Sequence, residues 1–185
     1  MLQLNFNLFP LIETERLQLR KITMDDAADF LALRSDIDAM KYIDRPMAKS
    51  IEDIYELIAK ISGGIESNES IGWAMTIKNE SKLFGTIGYH QIMPEHYRAE
   101  IGYMLHPSYW NKGYASEAIA KIIDYGFNEM KLHSIEAKIN PGNLASANLL
   151  KKHSFVKEAY FKENYFYNDK FLDTEIYSLL TTLKA

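Results

Sequence analysis

The spacing of apolar and polar residues predicts strands and helices in alternation along the chain. Residues 16–20 alternate as a strand does, and the capping box of Thr23 and Asp26 opens a helix to about Ala39. A second capping box, Ser50 with Asp53, precedes isoleucines at helical spacing up to the region of residues 63–65. The first third of the chain is therefore expected to fold as one strand followed by two helices.

The remaining two thirds predict a meander of strands and then a mixture of strands and helices. Six segments follow: strands at residues 72–78, 83–91 and 99–105, a helix at 114–130, a strand at 134–139, and a helix from N-cap Asn143 to His153. Two final strands, near 155–167 and 171–180, flank a turn at 168–170. The order β-α-α-β-β-β-α-β-α-β-β predicts an α/β (α+β) fold with a mostly antiparallel sheet.

Composition favours one domain over residues 1–185 and excludes several chemistries. The 185 residues are 47% hydrophobic and 25% charged, which is typical of one soluble globular domain. The chain has no cysteine, so disulfides, cysteine-ligated zinc, iron–sulfur clusters and cysteine nucleophiles are excluded.

The charge balance argues against nucleic acid as a partner. The 21 Lys and Arg against 25 Asp and Glu give a net charge of −4. Residues 1–8 predict neither a signal peptide nor a membrane span, so we expect a cytoplasmic protein with no membrane partner. The five histidines lack HExxH spacing, so no metal site is expected.

A strand, a turn and a helix over residues 100–117 have the local features of an anion site. The first turn of a helix has unpaired N–H groups, Gly113 allows close backbone approach, and Lys112 adds charge. A strand-to-helix turn that binds nothing is the alternative reading. Neither the P-loop nor the dinucleotide glycine pattern is present.

The same residues carry a resemblance to a known family. The segment from Trp110 to Ala118, WNKGYASEA, resembles the acyl-coenzyme A pyrophosphate loop of GNAT N-acetyltransferases, (Gln/Arg)-x-x-Gly-x-(Gly/Ala), and best that of the RimJ/RimL-type branch. Asn111 stands where that branch usually has Gly. Residues 14–20, 99–103 and 143–146 resemble the family's first strand, fourth strand and last helix, in the family's order. The likeness covers residues 11–180, with Ser154 in place of another usual Gly.

The resemblance implies a GNAT fold, in which the fourth and fifth strands of the family are parallel and splay apart at one end. These correspond here to residues 100–105 and 134–139, and the pantetheine arm of acetyl-CoA would enter the gap. Backbone groups of residues 103–105 would pair with pantetheine, and the loop would hold the pyrophosphate. The implied cofactor-binding residues are Tyr103, Met104, Leu105, Trp110, Asn111, Lys112, Gly113, Tyr114, Ala115, Ser116, Asn143 and Ser146.

Two residues are candidates for acid–base chemistry. A protonated amine must lose a proton before it attacks a thioester, and Glu100 is our candidate base, with a solvent-facing strand glutamate as the equal alternative. RimI-type relatives have their general base and general acid where this chain has Lys138 and Leu150. Neither of these two residues can serve as that base or that acid. Ser146 is the candidate acid by resemblance, with a nearby tyrosine, water, or a merely structural serine left open.

The resemblance implies an N-acetyltransferase that moves the acetyl group of acetyl-CoA to a primary amine by direct attack in a ternary complex. A protein N-terminal amine of the ribosomal-protein type is one acceptor, and small amines or antibiotics are another. A non-catalytic acyl-CoA sensor is the second hypothesis, and a metal- or nucleic-acid-binding protein is a weaker third. The aromatic residues in 160–167 also allow an interface, such as that of a homodimer.

Overall fold

A computed structural model describes residues 1–181, which form eight strands and five helices. The strands are β1 (Ile12–Glu13), β2 (Leu17–Lys21), β3 (Ile71–Ile77), β4 (Gly85–Met93), β5 (Arg98–Leu105), β6 (Ser134–Ile139), β7 (Val156–Tyr167) and β8 (Lys170–Leu180). The helices are α1 (Ala27–Arg34), α2 (Ile37–Met40), α3 (Ile51–Glu66), α4 (Tyr114–Asn128) and α5 (Leu144–Lys152).

All eight strands join one sheet in the order β1-β2-β3-β4-β5-β6-β8-β7. Every neighbouring pair is antiparallel except β5 and β6, which are parallel. Their pairing ends at Glu100 opposite Glu136, although β5 continues to Leu105 and β6 to Ile139. The predicted fold class, with its splayed parallel pair, is confirmed.

Two hydrophobic clusters cover the two faces of the sheet. The larger one packs Ile119 and Ile122 of α4 and Leu150 of α5 against β-strand residues such as Tyr89 and Ile101. The smaller one joins residues of α1 and α3 to Ala74 and Met104 from the opposite face. Since strand residues alternate between faces, Glu100 and Met104 lie on the α1–α3 face.

The predicted first helix is wrong in its extent. A 3-10 turn, Met24–Asp26, follows the N-cap Thr23, α1 ends at Arg34, and a new helix, α2, starts at Ile37. Asp36 has extended backbone angles, and its carboxylate accepts a hydrogen bond from the Ala39 amide. A second N-cap inside the amphipathic run therefore divides it into two helices.

The other predicted elements agree with the structure within a few residues. The capping box of Ser50 and Asp53 begins α3, and Asn143 caps α5 through the Ser146 amide. The two-residue strand β1 was not predicted. The β7–β8 turn has Asn168 and Asp169 in the left-handed region, at φ of 51° and 61°, as a tight hairpin turn requires.

Candidate active site

The loop between β5 and α4 leaves the start of α4 open. Gly113 is the residue before the helix and has φ +83°, a conformation that glycine adopts without strain. Asn111 is also left-handed, at φ 59°. Gly113 offers no side chain to cap the helix, so first-turn N–H groups of Tyr114, Ala115 and Ser116 are available to an anion.

An ion pair between Arg16 and Glu117 supports this loop. Glu117 Oε2 accepts from Arg16 Nε at 2.7 Å, and Glu117 Oε1 accepts from the Arg16 amide at 2.8 Å and from the Thr14 hydroxyl. Arg16 Nη1 donates to the Lys112 carbonyl at 3.0 Å, and the guanidinium lies 4.7 Å from the centre of the Tyr114 ring. One arginine therefore connects β2, the loop and the first turn of α4.

The electrostatics of Glu117 agree with this arrangement. Burial by itself raises the pKa of Glu117, but the hydrogen bonds from Thr14 and Arg16 and the Arg16 charge outweigh it. The pKa therefore lies below its ordinary value, and Glu117 is a carboxylate at neutral pH.

Backbone groups of β5 face the gap between β5 and β6. The His106 amide donates to Phe84 on the β4 side, so the Leu105 carbonyl of the same peptide unit points away from β4. This carbonyl accepts from the Trp110 indole at 2.9 Å. By strand alternation the backbone of Tyr103 and the Leu105 amide also face the gap, whereas Met104 turns its backbone toward β4. Of the three residues predicted to pair with pantetheine, Tyr103 and Leu105 present backbone groups to the gap and Met104 does not.

On the α4–α5 face of the sheet, two hydroxyl groups meet beside the gap. The Tyr103 and Ser146 hydroxyls are 2.7 Å apart, and the Ser146 amide donates to the Asn143 side chain at 3.1 Å. Ser146 is buried. Burial raises the pKa of Tyr103 to about 12, against the opposing effect of the Ser146 hydrogen bond. Tyr103 therefore keeps its proton over the whole neutral range.

A second polar contact links the start of α4 to the end of α5. The Ser116 hydroxyl lies 2.9 Å from His153 Nε2. Burial, and secondarily the charge of Lys152, lowers the pKa of His153. The imidazole is therefore neutral at pH 7, and Ser116 has a fixed partner on the neighbouring helix.

Glu100 lies on the other face of the sheet, at the last paired position of β5 and β6. Its carboxylate accepts from Lys138 Nζ at 2.9 Å, and its side chain is 22% exposed. Lys138 also pairs with Glu136 at 3.3 Å, and Glu136 with Arg98. Glu100 is thus part of a compact charge network and is not an isolated solvent-facing residue.

His90 of β4 is the direct cross-strand neighbour of Glu100. Its imidazole lies over Gly102, where an added Cβ would be 3.0 Å from the imidazole Cδ2. Desolvation by the surrounding protein lowers the pKa of His90, although the Glu100 charge acts in the opposite direction. A neutral imidazole therefore stands beside the Glu100 carboxylate.

The structure brings some predicted residues together and separates others. Tyr103, Ser146 and Asn143 form one group, and residues 111–116 form the adjacent loop. The indole nitrogen of Trp110 is used by the Leu105 carbonyl, and Lys112 Nζ lies 5.4 Å from the Tyr109 ring centre. Glu100 stands apart from Ser146, on the opposite face of the sheet.

Sequence reasoning missed the pairing of Arg16 with Glu117, the position of His90 beside Glu100 and the contact of the Tyr103 side chain with Ser146. Their partners are distant along the chain, so local patterns gave no direct signal. The sequence did predict β4 and β5 as neighbouring antiparallel strands. Had the register of that pair been known, it would have shown that His90 lies opposite Glu100.

Within residues 1–181 no helix is long and apolar enough to cross a membrane. The same part of the chain contains no group of three or more His, Asp or Glu residues arranged to hold a metal ion.

Comparison with known proteins gives matches over most of the chain. Residues 16–156 match the family model described as acetyltransferase (GNAT) domain. The uncharacterized N-acetyltransferase YoaA of Bacillus subtilis is 36% identical over 94% of this chain and 98% of its own length.

Solved structures are similar over the same range. A GNAT-family acetyltransferase from Bacillus anthracis has a TM-score of 0.82 and 34% identity, covering 92% of this chain and 98% of that one. A ribosomal-protein-S5-alanine acetyltransferase from Vibrio fischeri has a TM-score of 0.81 and 25% identity, covering 94% and 97%.

Proposed function

Because this chain belongs to the GNAT acetyltransferase family, we propose that it transfers the acetyl group of acetyl-CoA to the N-terminal α-amine of a protein. Family membership and N-acetyltransferase activity rest on the match over residues 16–156 and on the N-acetyltransferase relatives. The choice of a protein amine is the proposal, together with the residues that serve it.

The observation that carries the proposal is the early end of the β5–β6 pairing. Beyond Glu100 the two strands no longer pair, which leaves a gap between the last residues of β5 and those of β6. The uncapped start of α4 and the hydroxyls of Tyr103 and Ser146 belong to one face, and Glu100 and His90 to the other. In the proposed arrangement the thioester enters the gap from the first face and the amine from the second.

The loop and α5 supply binding for acetyl-CoA. First-turn amides of α4 bind the pyrophosphate, with Asn111 and Gly113 holding the loop in its left-handed turns. Tyr103 and Leu105 offer backbone groups to the pantetheine amides in the manner of an added strand. Asn143 holds the start of α5 beside this path.

The chemistry needs one proton removed and one supplied. Glu100 takes a proton from the ammonium of the acceptor, and the neutral amine attacks the thioester carbonyl. The C–N bond forms, the C–S bond breaks, the new amide nitrogen releases its second proton to solvent, and the leaving thiolate receives a proton from the Ser146 hydroxyl. Ser146 regains a proton from Tyr103, whose pKa of about 12 keeps it protonated until then. Tyr103 then takes a proton from solvent and Glu100 releases one to it, so both return to their starting states. Lys138 holds the Glu100 carboxylate in place.

A protein α-amine suits this site better than a lysine side chain. An α-amine has a pKa near 8, so a much larger fraction is neutral at pH 7 than for a lysine amine near 10.4. The similar Vibrio fischeri structure is of an enzyme named for acetylating an alanine of a ribosomal protein, which supports the same acceptor class.

The test measures thiol release from acetyl-CoA with peptides that begin with Ser, Ala or Thr, and with lysine peptides, polyamines and aminoglycosides. The chain has no cysteine, so it adds no thiol background. We expect release with α-amine peptides, and a loss of roughly 10²-fold or more in kcat for Glu100→Gln. Glu80→Gln, in the exposed turn after β3, removes the same charge and should leave the rate unchanged.

Other outcomes would contradict the proposal. Release with polyamines or aminoglycosides alone would assign a small-molecule acceptor. Stabilisation by acetyl-CoA without transfer to any amine would favour the sensor hypothesis, and an equal rate for Glu100→Gln would remove Glu100 from the mechanism.

A further inference from the structure

The Lys138 ammonium is surrounded by oxygen atoms from three neighbouring strands. Its Nζ donates to Gln91 Oε1 at 3.2 Å and to Glu100 Oε2 at 2.9 Å, and it lies 3.3 Å from Glu136 Oε1. These oxygens belong to β4, β5 and β6. A primary ammonium has three N–H donors, so the three oxygens match what such a group requires. The fold therefore builds a site for one primary ammonium at this position, and Lys138 fills it.

The backbone of β4 departs from a regular strand to supply one of these oxygens. His90 is the cross-strand partner of Glu100, and the register of β4 and β5 shifts directly after it. Gln91 lies in this bulge at φ 45°, a left-handed conformation that residues other than glycine seldom adopt. In a regular strand Gln91 would point to the face opposite His90. The bulge instead allows its side chain to reach Lys138.

The position of Lys138 along β6 places it beside the gap. The pairing of β5 with β6 ends at Glu100 opposite Glu136, and residues 137–139 of β6 have no partner on β5. Lys138 is in this stretch, two residues after Glu136 and therefore on the same face. Its side chain is 37% exposed, so it is partly open to solvent. Lys138 thus borders the space that the proposed function assigns to the thioester.

The carboxylate next to Lys138 is the one that serves as base in the proposed function. An acceptor ammonium has to come within hydrogen-bond distance of Glu100 to give up its proton, and Lys138 Nζ is already at that distance. A group held next to its reaction partner reacts far more readily than the same group on a separate molecule. Lys138 is therefore a primary amine with both a base and a position beside the gap.

We propose that Lys138 is a self-acetylation site: with acetyl-CoA bound and no amine acceptor present, the enzyme acetylates its own Lys138. Glu100 takes a proton from the Lys138 ammonium, and the neutral amine attacks the thioester carbonyl. The C–N bond forms and the C–S bond breaks. The amide nitrogen releases its second proton to solvent, and the leaving thiolate receives a proton from Ser146. The inference rests on the proposed function, because it uses the same base and the same thioester.

The first test incubates the protein with acetyl-CoA and no added amine, and follows acetylation of individual lysines by peptide mass spectrometry. Lys157 is the matched control in the same chain, because its Nζ lies 2.6 Å from Glu175 and its side chain is 40% exposed. It belongs to β7, at the edge of the sheet. We expect Lys138 to be acetylated about tenfold faster than Lys157 or more. Equal rates at the two lysines would overturn the inference.

A variant separates catalysed acetylation from direct chemical acetylation, because the two predict opposite changes. Glu100→Gln removes the base, so catalysed acetylation of Lys138 should slow by about tenfold or more. The same change removes an ion-pair partner of the amine, so chemical acetylation should stay equal or rise. Glu80→Gln removes the same charge from an exposed turn and should leave the rate unchanged. A rate that Glu100→Gln does not lower would contradict self-acetylation.

Two further conditions test whether each chain uses the acetyl-CoA bound to itself. The rate per chain at saturating acetyl-CoA should not change when the protein is diluted about tenfold, since the reaction is intramolecular. Excess coenzyme A without an acetyl group should suppress the reaction, because it occupies the same loop and gap. A rate that falls on dilution, or one that coenzyme A does not affect, would count against the inference.

The results also distinguish this inference from the proposed function. Transfer to α-amine peptides without acetylation of Lys138 would overturn self-acetylation and retain the proposed function. Acetylation of Lys138 that depends on Glu100, with no transfer to any α-amine peptide, would support self-acetylation and overturn the choice of a protein α-amine as acceptor.

Discussion

The ion pair between Arg16 and Glu117 gives the sharpest prediction, because Glu117→Gln changes one charge and almost no volume. Glu117 is 17% exposed and Arg16 45% exposed in their side chains. The glutamine oxygen can still accept from Thr14 and from the Arg16 amide. The glutamine NH2 group, however, would face the Arg16 guanidinium in place of the carboxylate oxygen now 2.7 Å from Nε.

The expected cost follows from that single lost interaction. A hydrogen bond to a charged group contributes about 1.5–3 kcal/mol, and the half-exposed Arg16 lets solvent screen part of it. We expect a loss of about 1–2 kcal/mol in the free energy of unfolding. For a domain of 150–250 residues this corresponds to roughly 2–8 °C in Tm.

The same change should weaken acetyl-CoA binding. Arg16 Nη1 donates to the Lys112 carbonyl at 3.0 Å, so an arginine released from Glu117 no longer holds the loop. We expect the Kd for acetyl-CoA, measured by calorimetry, to rise by about three- to tenfold, a change of about 0.7–1.4 kcal/mol. Glu129→Gln, at the exposed residue that follows α4, removes the same charge far from the loop and should change the stability and the Kd by less than Glu117→Gln does.

The pH dependence has a definite sign. The folded-state pKa of Glu117 lies below its ordinary value, so its contribution is complete above the unfolded-state pKa and is lost as the pH falls through the folded-state pKa. The stability difference between wild type and Glu117→Gln should therefore be full at pH 7 and shrink below about pH 4.5. The role of the Arg16–Glu117 ion pair would be refuted if wild type and Glu117→Gln had equal stability and equal acetyl-CoA affinity at pH 7. A stability difference that grows as the pH falls would refute it as well.

Three further predictions concern single positions. Gly113→Ala should raise the Kd for acetyl-CoA about fivefold or more, measured by calorimetry, because φ +83° costs an L-residue roughly 1–2 kcal/mol; an unchanged Kd would contradict the loop assignment. Gly126→Ala should lower the free energy of unfolding in urea by about 2–3 kcal/mol, since its Cβ would overlap the Tyr89 hydroxyl. Gly63→Ala, with open space around its Cβ, is the control and should stabilise α3 slightly. Tyr103→Phe should lower kcat by on the order of 10-fold or more, and the wild-type pH–rate profile should show no falling limb below about pH 10, because the pKa of Tyr103 is about 12; a limb near pH 8 would exclude this role.

Local signals explain why so much of the secondary structure could be predicted. A capping box, a glycine before a helix and a period of two or of three to four residues all act within a few positions along the chain. The start of α3 at Ile51 and that of α5 at Leu144 follow from such signals. The division of the first helix was missed because the apolar pattern continues through the N-cap Asp36. The spacing of apolar residues does not show whether a capping residue inside such a run starts a new helix.

The loop at residues 110–116 could be predicted from the sequence because the residues that shape it are contiguous in the chain. The left-handed Gly113 and the small Ala115 lie two positions apart in one strand-to-helix turn. Resemblance to a family added the cofactor, which local physics alone leaves open between an anion site and a plain turn.

Side-chain partnerships that join distant segments were decided only by the tertiary structure. The Tyr103–Ser146 contact spans 43 residues and the Arg16–Glu117 pair spans 101. The same holds for the insertion of β8 between β6 and β7, and for the end of β5–β6 pairing at Glu100. By itself, the sequence determined most of the elements and the turn that leads into α4, since those depend on neighbours in the chain. Which groups meet at the gap depends on strand register and helix packing, which only the whole folded chain specifies.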